Sequence, residues 1–231
     1  MTFGEKVIGF NRWLSRVRPK LPEGAELLVP FRDPDVMRIS GEFYHAFFND
    51  HRERFFLLGI NPGRFGAGLT GIPFTDPVNL EKDCGISNGM AKRPELSSDF
   101  IYQVIRTFGG PALFYKHFFI SSVCPLGFVR NGINLNYCDD RELLEMTTPF
   151  IINSMKRQLE FGGRRDVAFV IGEGKNLQVF GKINEHQRFF EQLVPLPHPR
   201  FILQYRRKQV EKYLQLYRDR LTGVLEQTGS C

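Results

Sequence analysis

The sequence predicts an α/β protein: a mainly parallel sheet of four strands between layers of helix. Three observations carry this. Four short apolar runs of strand length alternate with stretches of helical periodicity, the pattern that builds a parallel sheet covered by helices. The runs are almost continuously apolar, as strands buried on both faces are. Polar or conformationally special residues stand at the ends of three of them, namely Asn61, Ser121-Ser122 and His198. Open α/β sheets bind ligands just beyond the C-terminal ends of their strands.

Taken in order, Val7, Phe10, Trp13, Leu14 and Val17 recur at helical spacing and predict an N-terminal amphipathic helix. Asp33-Pro34 opens a second helix running to Phe48, despite Gly41. Phe55 to Asn61 is the first strand. Ser97-Ser98-Asp99 can cap a helix that runs to about Thr107 and stops at Gly109-Gly110. Phe118 to Cys124 is the second strand, ended by Pro125. Asp139-Asp140 opens a long helix to about Phe161, and Val167 to Ile171 is the third strand. Another helical stretch follows Gly172-Glu173-Gly174. Gln192 to Leu196 is a short fourth strand ending at Pro197-His198-Pro199, and Lys208 to Leu225 is a basic amphipathic helix. No linker, repeat or low-complexity tract interrupts the chain, so one domain over residues 1–231 is expected.

Composition narrows the function classes. The chain has 231 residues and a formal charge of +6, which favours a polyanionic partner such as nucleic acid. Cys84, Cys124, Cys138 and Cys231 form no C-x-x-C pair, and no His stands at zinc-ligand spacing, so no metal and no cofactor is expected. Scattered cysteines in a basic α/β chain point to reduced thiols and a cytoplasmic setting, nucleoid-associated in a bacterium or nuclear in a eukaryote. Met1 to Arg18 carries Glu5 and no long apolar run, so a signal peptide is not expected, and no run approaches a membrane span. A monomer is expected.

The run Phe55-Phe56-Leu57-Leu58-Gly59-Ile60 leads straight into Asn61-Pro62-Gly63. Gly63, Gly66, Gly68, Gly71 and Pro73 then form a loop with little side-chain bulk, whose backbone N–H groups can approach a ligand closely. It is not a Walker A loop, because no Gly-Lys-Ser/Thr follows. An ordinary turn would use much the same residues. The densest mix of basic and aromatic residues follows His198: Arg200, Phe201, Tyr205, Arg206 and Arg207. Such a mix suits phosphate contact and a wedge in a base stack, although a solvated helix would look similar.

The motifs Gly59-Ile60-Asn61-Pro62-Gly63, Phe65-Gly66 and Thr70-Gly71-Ile72-Pro73-Phe74 resemble the first motif of the single-strand-selective monofunctional uracil-DNA glycosylases. Lys92-Arg93-Pro94, Cys124-Pro125-Leu126 and Leu196-Pro197-His198-Pro199 follow in that family's order and at similar spacing. The resemblance implies an α/β/α sandwich on a four-stranded parallel sheet. It implies metal-free hydrolysis of the N-glycosidic bond of a damaged base in DNA, without a lyase step. By the same resemblance, Asn61 places the attacking water and His198 stabilises charge on the base carbonyl. Phe74 stacks on the flipped base, and Ile60 and Gly63 lie against it. The chain departs from the family in three places, one of them Ala67, which stands where the family's loop has a bulkier residue and so implies a wider pocket. The base-reading Asn two residues before Cys-Pro-Leu is Ser122 here, which alters discrimination between uracil and purines such as xanthine or hypoxanthine. The Ser-Pro-Arg-Asn-Pro run after His-Pro is missing, so the wedge does not carry over residue by residue. Two further readings stand: a non-catalytic nucleic-acid-binding module, or a nucleoside or nucleotide hydrolase using the same loop.

Overall fold

The structure, a computed structural model, describes residues 1–227. Cys231 lies outside them. The elements begin with α1 (Phe3–Arg16), β1 (Ala25–Leu28), α2 (Pro34–Phe48), β2 (Arg54–Gly59), α3 (Ala67–Thr70), α4 (Pro77–Lys82) and α5 (Leu96–Thr107). Next come α6 (Pro111–His117), β3 (Phe118–Ser122), β4 (Gly127–Arg130), β5 (Ile133–Leu135), α7 (Arg141–Leu159) and β6 (Gly163–Ile171). The chain continues through α8 (Lys175–Gln187), β7 (Gln192–Leu196), α9 (Pro199–Tyr205) and α10 (Val210–Gln227), with 3-10 turns at Pro30–Arg32 and Arg207–Gln209.

The four expected strands pair in the order β3-β2-β6-β7, and every pairing is parallel. Their C-terminal ends therefore share one edge. Alternation of side chains across the strands divides the core. Phe56 and Phe119, opposite one another on β2 and β3, face one layer, where Phe119 meets Phe3 of α1, Phe48 of α2 and Phe161 after α7. Phe55 and Phe118 face the other layer, where Phe118 meets Phe114 of α6 and Phe108 at the end of α5. The heavy use of Phe is thus a core device, in which edge-to-face ring pairs add to area burial. Arg54, fully buried, closes the N-terminal end of β2. It packs over the Phe3 and Phe48 rings, chelates Asp50 with both guanidinium arms and donates to the Tyr115 carbonyl.

Several expected boundaries shift. The first strand ends at Gly59 rather than Asn61, and the second at Ser122 rather than Cys124. Pro62 and Pro125 lack the N–H that would continue a ladder. The third strand starts earlier, at Gly163, because β2 pairs with it from Arg54 onward. Glu95, not Ser97-Ser98-Asp99, caps α5 by accepting from the Ser98 N–H, while the Ser98 hydroxyl accepts from the Asp76 N–H. The C-terminal helix starts at Val210, because Arg207–Gln209 forms a separate turn. A second sheet, β1-β4-β5, is antiparallel and was not expected. Its strands have three or four residues, too short for period-two alternation to register. Asn131 and Gly132, both at positive φ, turn the β4–β5 hairpin. No described helix is long and apolar enough to cross a membrane.

Candidate active site

A crevice of about 400 Å³ opens beyond the C-terminal ends of β2, β3 and β7. Ile60, Asn61, Gly63, Phe74, Ser122, His198 and Arg200 all line it, so the fold gathers residues spread over some 140 positions. Phe201, Tyr205, Arg206 and Arg207 do not line it. They continue from its rim along α9 and the turn that follows.

His198 caps α9. Its Nδ1 accepts the Arg200 backbone N–H at 3.2 Å, so the ring lone pair is at Nδ1 and a neutral ring carries its proton on Nε2. Burial, and then the Arg200 charge, lower its pKa from 6.5 to about 4, so the ring is neutral at physiological pH. The preceding carbonyls are anchored from α10: Tyr217 donates its buried hydroxyl to Pro197 O at 2.6 Å, and Arg220 donates to Pro195 O.

The Phe74 ring centroid lies 6.1 Å from that of His198, tilted by 50°. Phe74 holds φ +52°, a left-handed conformation that costs a bulky residue about 1–3 kcal/mol. Hydroxyl bonds over-determine this turn. Thr70 Oγ1 donates to Thr75 O at 2.6 Å and accepts from Ile72 N, and Thr75 bonds Pro73 O and Tyr102. The buried Asp76 carboxylate accepts from the Val78, Asn79 and Glu95 N–H groups. The ring rests on Gly59, where a Cβ would stand 2.6 Å from Phe74 Cε2. Gly68 closes the loop by donating to Gly63 O at 2.8 Å, leaving no room for a side chain: a Cβ would lie 2.5 Å from that oxygen.

Asn61 is held on both sides of its amide. Nδ2 donates to Leu135 O at 3.1 Å, and Oδ1 accepts from Tyr137 N at 3.0 Å. An amide oxygen has two lone pairs, so one remains for a water. Tyr137 extends the chain of bonds through its buried hydroxyl to Asn176 Oδ1, and Asn176 donates to Ile171 O at the end of β6. Ser122 stands opposite Gly59 at the end of β3. The buried Gln158 of α7 donates to Ser122 O at 3.4 Å and accepts from the Ser121 hydroxyl.

The sequence reading missed the supporting residues Thr70, Thr75, Asp76, Tyr137, Gln158, Asn176 and Tyr217, together with Asn134 and Asn136, which line the crevice from the hairpin and the loop after it. Thr70 opens the Thr70-Gly71-Ile72-Pro73-Phe74 motif, but the others belong to none, and only the tertiary fold assigns all of them partners. It also missed that Phe65 is 42% exposed at the crevice, with the Arg64 and Arg93 guanidiniums 5.1 Å and 5.8 Å from its ring centre. On α9, Phe201 and Tyr205 are exposed and pair at 5.9 Å, with Arg206 over the Phe201 ring.

A parallel α/β/α architecture with such a crevice matches a known class. The uracil DNA glycosylase superfamily model fits residues 45–222, and the chain belongs to that superfamily. The crystal structure of wild-type Pedobacter heparinus SMUG2 superposes with a TM-score of 0.95 at 43% identity, covering 98% of this chain and 99% of that one. The single-strand selective monofunctional uracil-DNA glycosylases of Rattus norvegicus and Mus musculus are 32% and 30% identical over 138 residues, 51% of this chain. Those matches span about half the length of the two curated relatives, 48% of each.

Proposed function

We propose that this chain works as a single-domain, monomeric, monofunctional DNA glycosylase that hydrolyses the N-glycosidic bond of uracil, and also of xanthine or hypoxanthine. A DNA-repair role of this kind places it with the cytoplasmic nucleoid or in a nucleus. The observation that carries the reading is the neutral His198, with its ring proton on Nε2, lining the same crevice as Phe74 and the held Asn61 amide.

A base stacked in DNA is out of reach of such a crevice, so the nucleotide must be everted into it, at a cost of a few kcal/mol. Phe74 offers a face for the everted base, worth about 1–3 kcal/mol in stacking. Ile60, Gly63 and Ser122 bound the remaining space. As the glycosidic bond lengthens, negative charge gathers on the base and positive charge on the sugar. The Nε2–H of His198 stabilises the base carbonyl oxygen, and a neutral donor does so without first repelling the sugar cation. Asn61 Oδ1 orients the water that adds to the sugar carbon. Arg200 in the crevice lining and Arg206 and Arg207 beyond it contact phosphates, and Phe201 and Tyr205 supply the wedge that fills the gap left in the stack. Phe65 with Arg64 and Arg93 adds a second basic and aromatic cluster at the crevice.

The test is incubation of the purified protein with oligonucleotides carrying uracil, xanthine or hypoxanthine, followed by alkaline cleavage. Alkali-labile sites at the lesion support the reading; intact strands for all three refute it. A free-nucleoside hydrolase would instead release base from mononucleosides and show no salt-dependent affinity for DNA.

Two variants probe the assignments. Ser122→Asn is expected to raise the ratio of uracil to purine-lesion excision, because an amide presents a donor and an acceptor in fixed geometry where a hydroxyl rotates. An unchanged ratio in single-turnover assays would remove Ser122 from base reading. Arg206→Ala is expected to weaken DNA binding evenly across sequences and to lower the salt slope of log K by about one. An unaltered slope in a salt titration would move the phosphate contacts elsewhere.

A further inference from the structure

Two guanidiniums converge on one exposed ring beside the crevice. Phe65 is 42% exposed and lines the crevice, and the Arg64 and Arg93 guanidiniums lie 5.1 Å and 5.8 Å from its ring centre. Like charges gathered in this way repel each other, and the negative face of one ring offsets only part of that repulsion. Neither Arg forms an ion pair with a described carboxylate. Arg64 Nε is buried and has no hydrogen-bond partner among the described residues. Such donors are almost always satisfied. Nearby cations are treated differently: Lys92 pairs with Glu81 at 2.8 Å, and Arg106 with Asp83 at 2.7 Å.

The crevice itself does not supply the missing anion. Glu95 is the one acidic residue among the described residues that line it. Its carboxylate caps α5 by accepting the Ser98 N–H at 3.0 Å. A fixed negative charge there repels a second anion, so an anion is expected at the guanidinium pair and not deeper in the crevice. Arg64 follows β2 and Arg93 precedes α5, so the fold brings the two charges together from separate segments. Asn134 holds the first segment by accepting the Arg64 backbone N–H at 3.4 Å.

We propose that Arg64 and Arg93, held on Phe65, clamp one phosphodiester of the DNA strand beside the everted nucleotide. A phosphodiester carries one negative charge on two free oxygens, and a guanidinium presents donors in a planar fork suited to such oxygens. Anchoring that phosphate fixes the backbone next to the crevice while the nucleotide turns in, a contact that positions the strand and reads no base. Phe65 is a positioning residue that acts through the two Arg side chains. This deepens the base-excision reading above and rests on it.

The test is a binding scan with single-stranded oligonucleotides that carry a hydrolysis-resistant uridine and one uncharged methylphosphonate, moved along the strand. Wild type is expected to lose about tenfold in affinity at one position next to the lesion, the effect of a charged hydrogen-bonded contact. The Arg64→Gln/Arg93→Gln double variant should show no loss at that position and unchanged losses elsewhere. Equal losses in the two proteins at every position overturn the clamp. Because one phosphate carries one charge, each single variant should keep nearly the wild-type salt slope of log K, and the double variant should lower it by about 0.7. Single variants that each lower it by about 0.7 would put the two Arg side chains on separate phosphates and overturn the clamp as well. Phe65→Leu keeps both charges. A smaller methylphosphonate loss at the same position supports the positioning role of the ring, and an unchanged loss overturns it. A protein that shows the coupled position yet excises no base would contradict the proposed function and leave the clamp standing. A protein that excises uracil with no coupled position would do the reverse.

Discussion

Excision of uracil by the His198→Ala protein is expected to be about 10²–10³ slower than by wild type under single-turnover conditions, with DNA affinity nearly intact. The loss is that of one preorganised donor at the oxygen where charge gathers. In the proposed mechanism the ring touches the base rather than the backbone of the strand, so binding should survive. Near-normal rates would remove His198 from the chemistry. The pH profile carries a second signature. Burial and Arg200 lower the His198 pKa from 6.5 to about 4, so the ring stays neutral down to that pH. No acid limb attributable to His198 should appear near 6.5; excision should hold until the pH approaches about 4. The same shift sets the sign of its stability effect. Between about 4 and 6.5 the unfolded chain binds a proton at this ring that the folded chain does not, so stability rises with pH across that window. Chemical denaturation at pH 5 and pH 7 should show the lower stability at pH 5, as far as this group contributes.

Asn61→Ala is expected to lower single-turnover excision by a factor on the order of 10², since loss of a positioning contact of this kind costs about that much. Two effects combine. The oxygen proposed to orient water is lost, and so are the bonds to Leu135 O and Tyr137 N that hold the β5–α7 segment against the crevice. Affinity for an oligonucleotide with an abasic-site analogue should change little, because the phosphate contacts lie elsewhere. A rate near wild type would show that water is placed by another group, and a collapse in affinity would show that the substitution acts through the fold of the loop.

The parallel sheet was legible because each of its strands is an apolar run bounded by Gly, Pro or charge. Asn61, Phe74, Ser122 and His198 were legible because each stands at a strand end or closes a loop after one. The antiparallel sheet was not, since β1, β4 and β5 contain too few residues for an alternating pattern. The short helix α9 escaped notice because its cap is His198 itself, a residue not expected at an N-cap. The supporting shell was out of reach for another reason. Tyr217 and Gln158 look in sequence like ordinary residues of amphipathic helices, and only the packed fold reveals that one holds Pro197 and the other the end of β3.

The central claim is that an everted deaminated base sits between Phe74 and His198. The most direct measurement is a crystal structure of the wild-type protein with an oligonucleotide carrying a hydrolysis-resistant 2′-fluoro-arabino uridine. The uracil ring should lie against the Phe74 face with a carbonyl oxygen within hydrogen-bonding distance of His198 Nε2. A uracil that stays stacked in its strand, or that enters any other cavity, would contradict it.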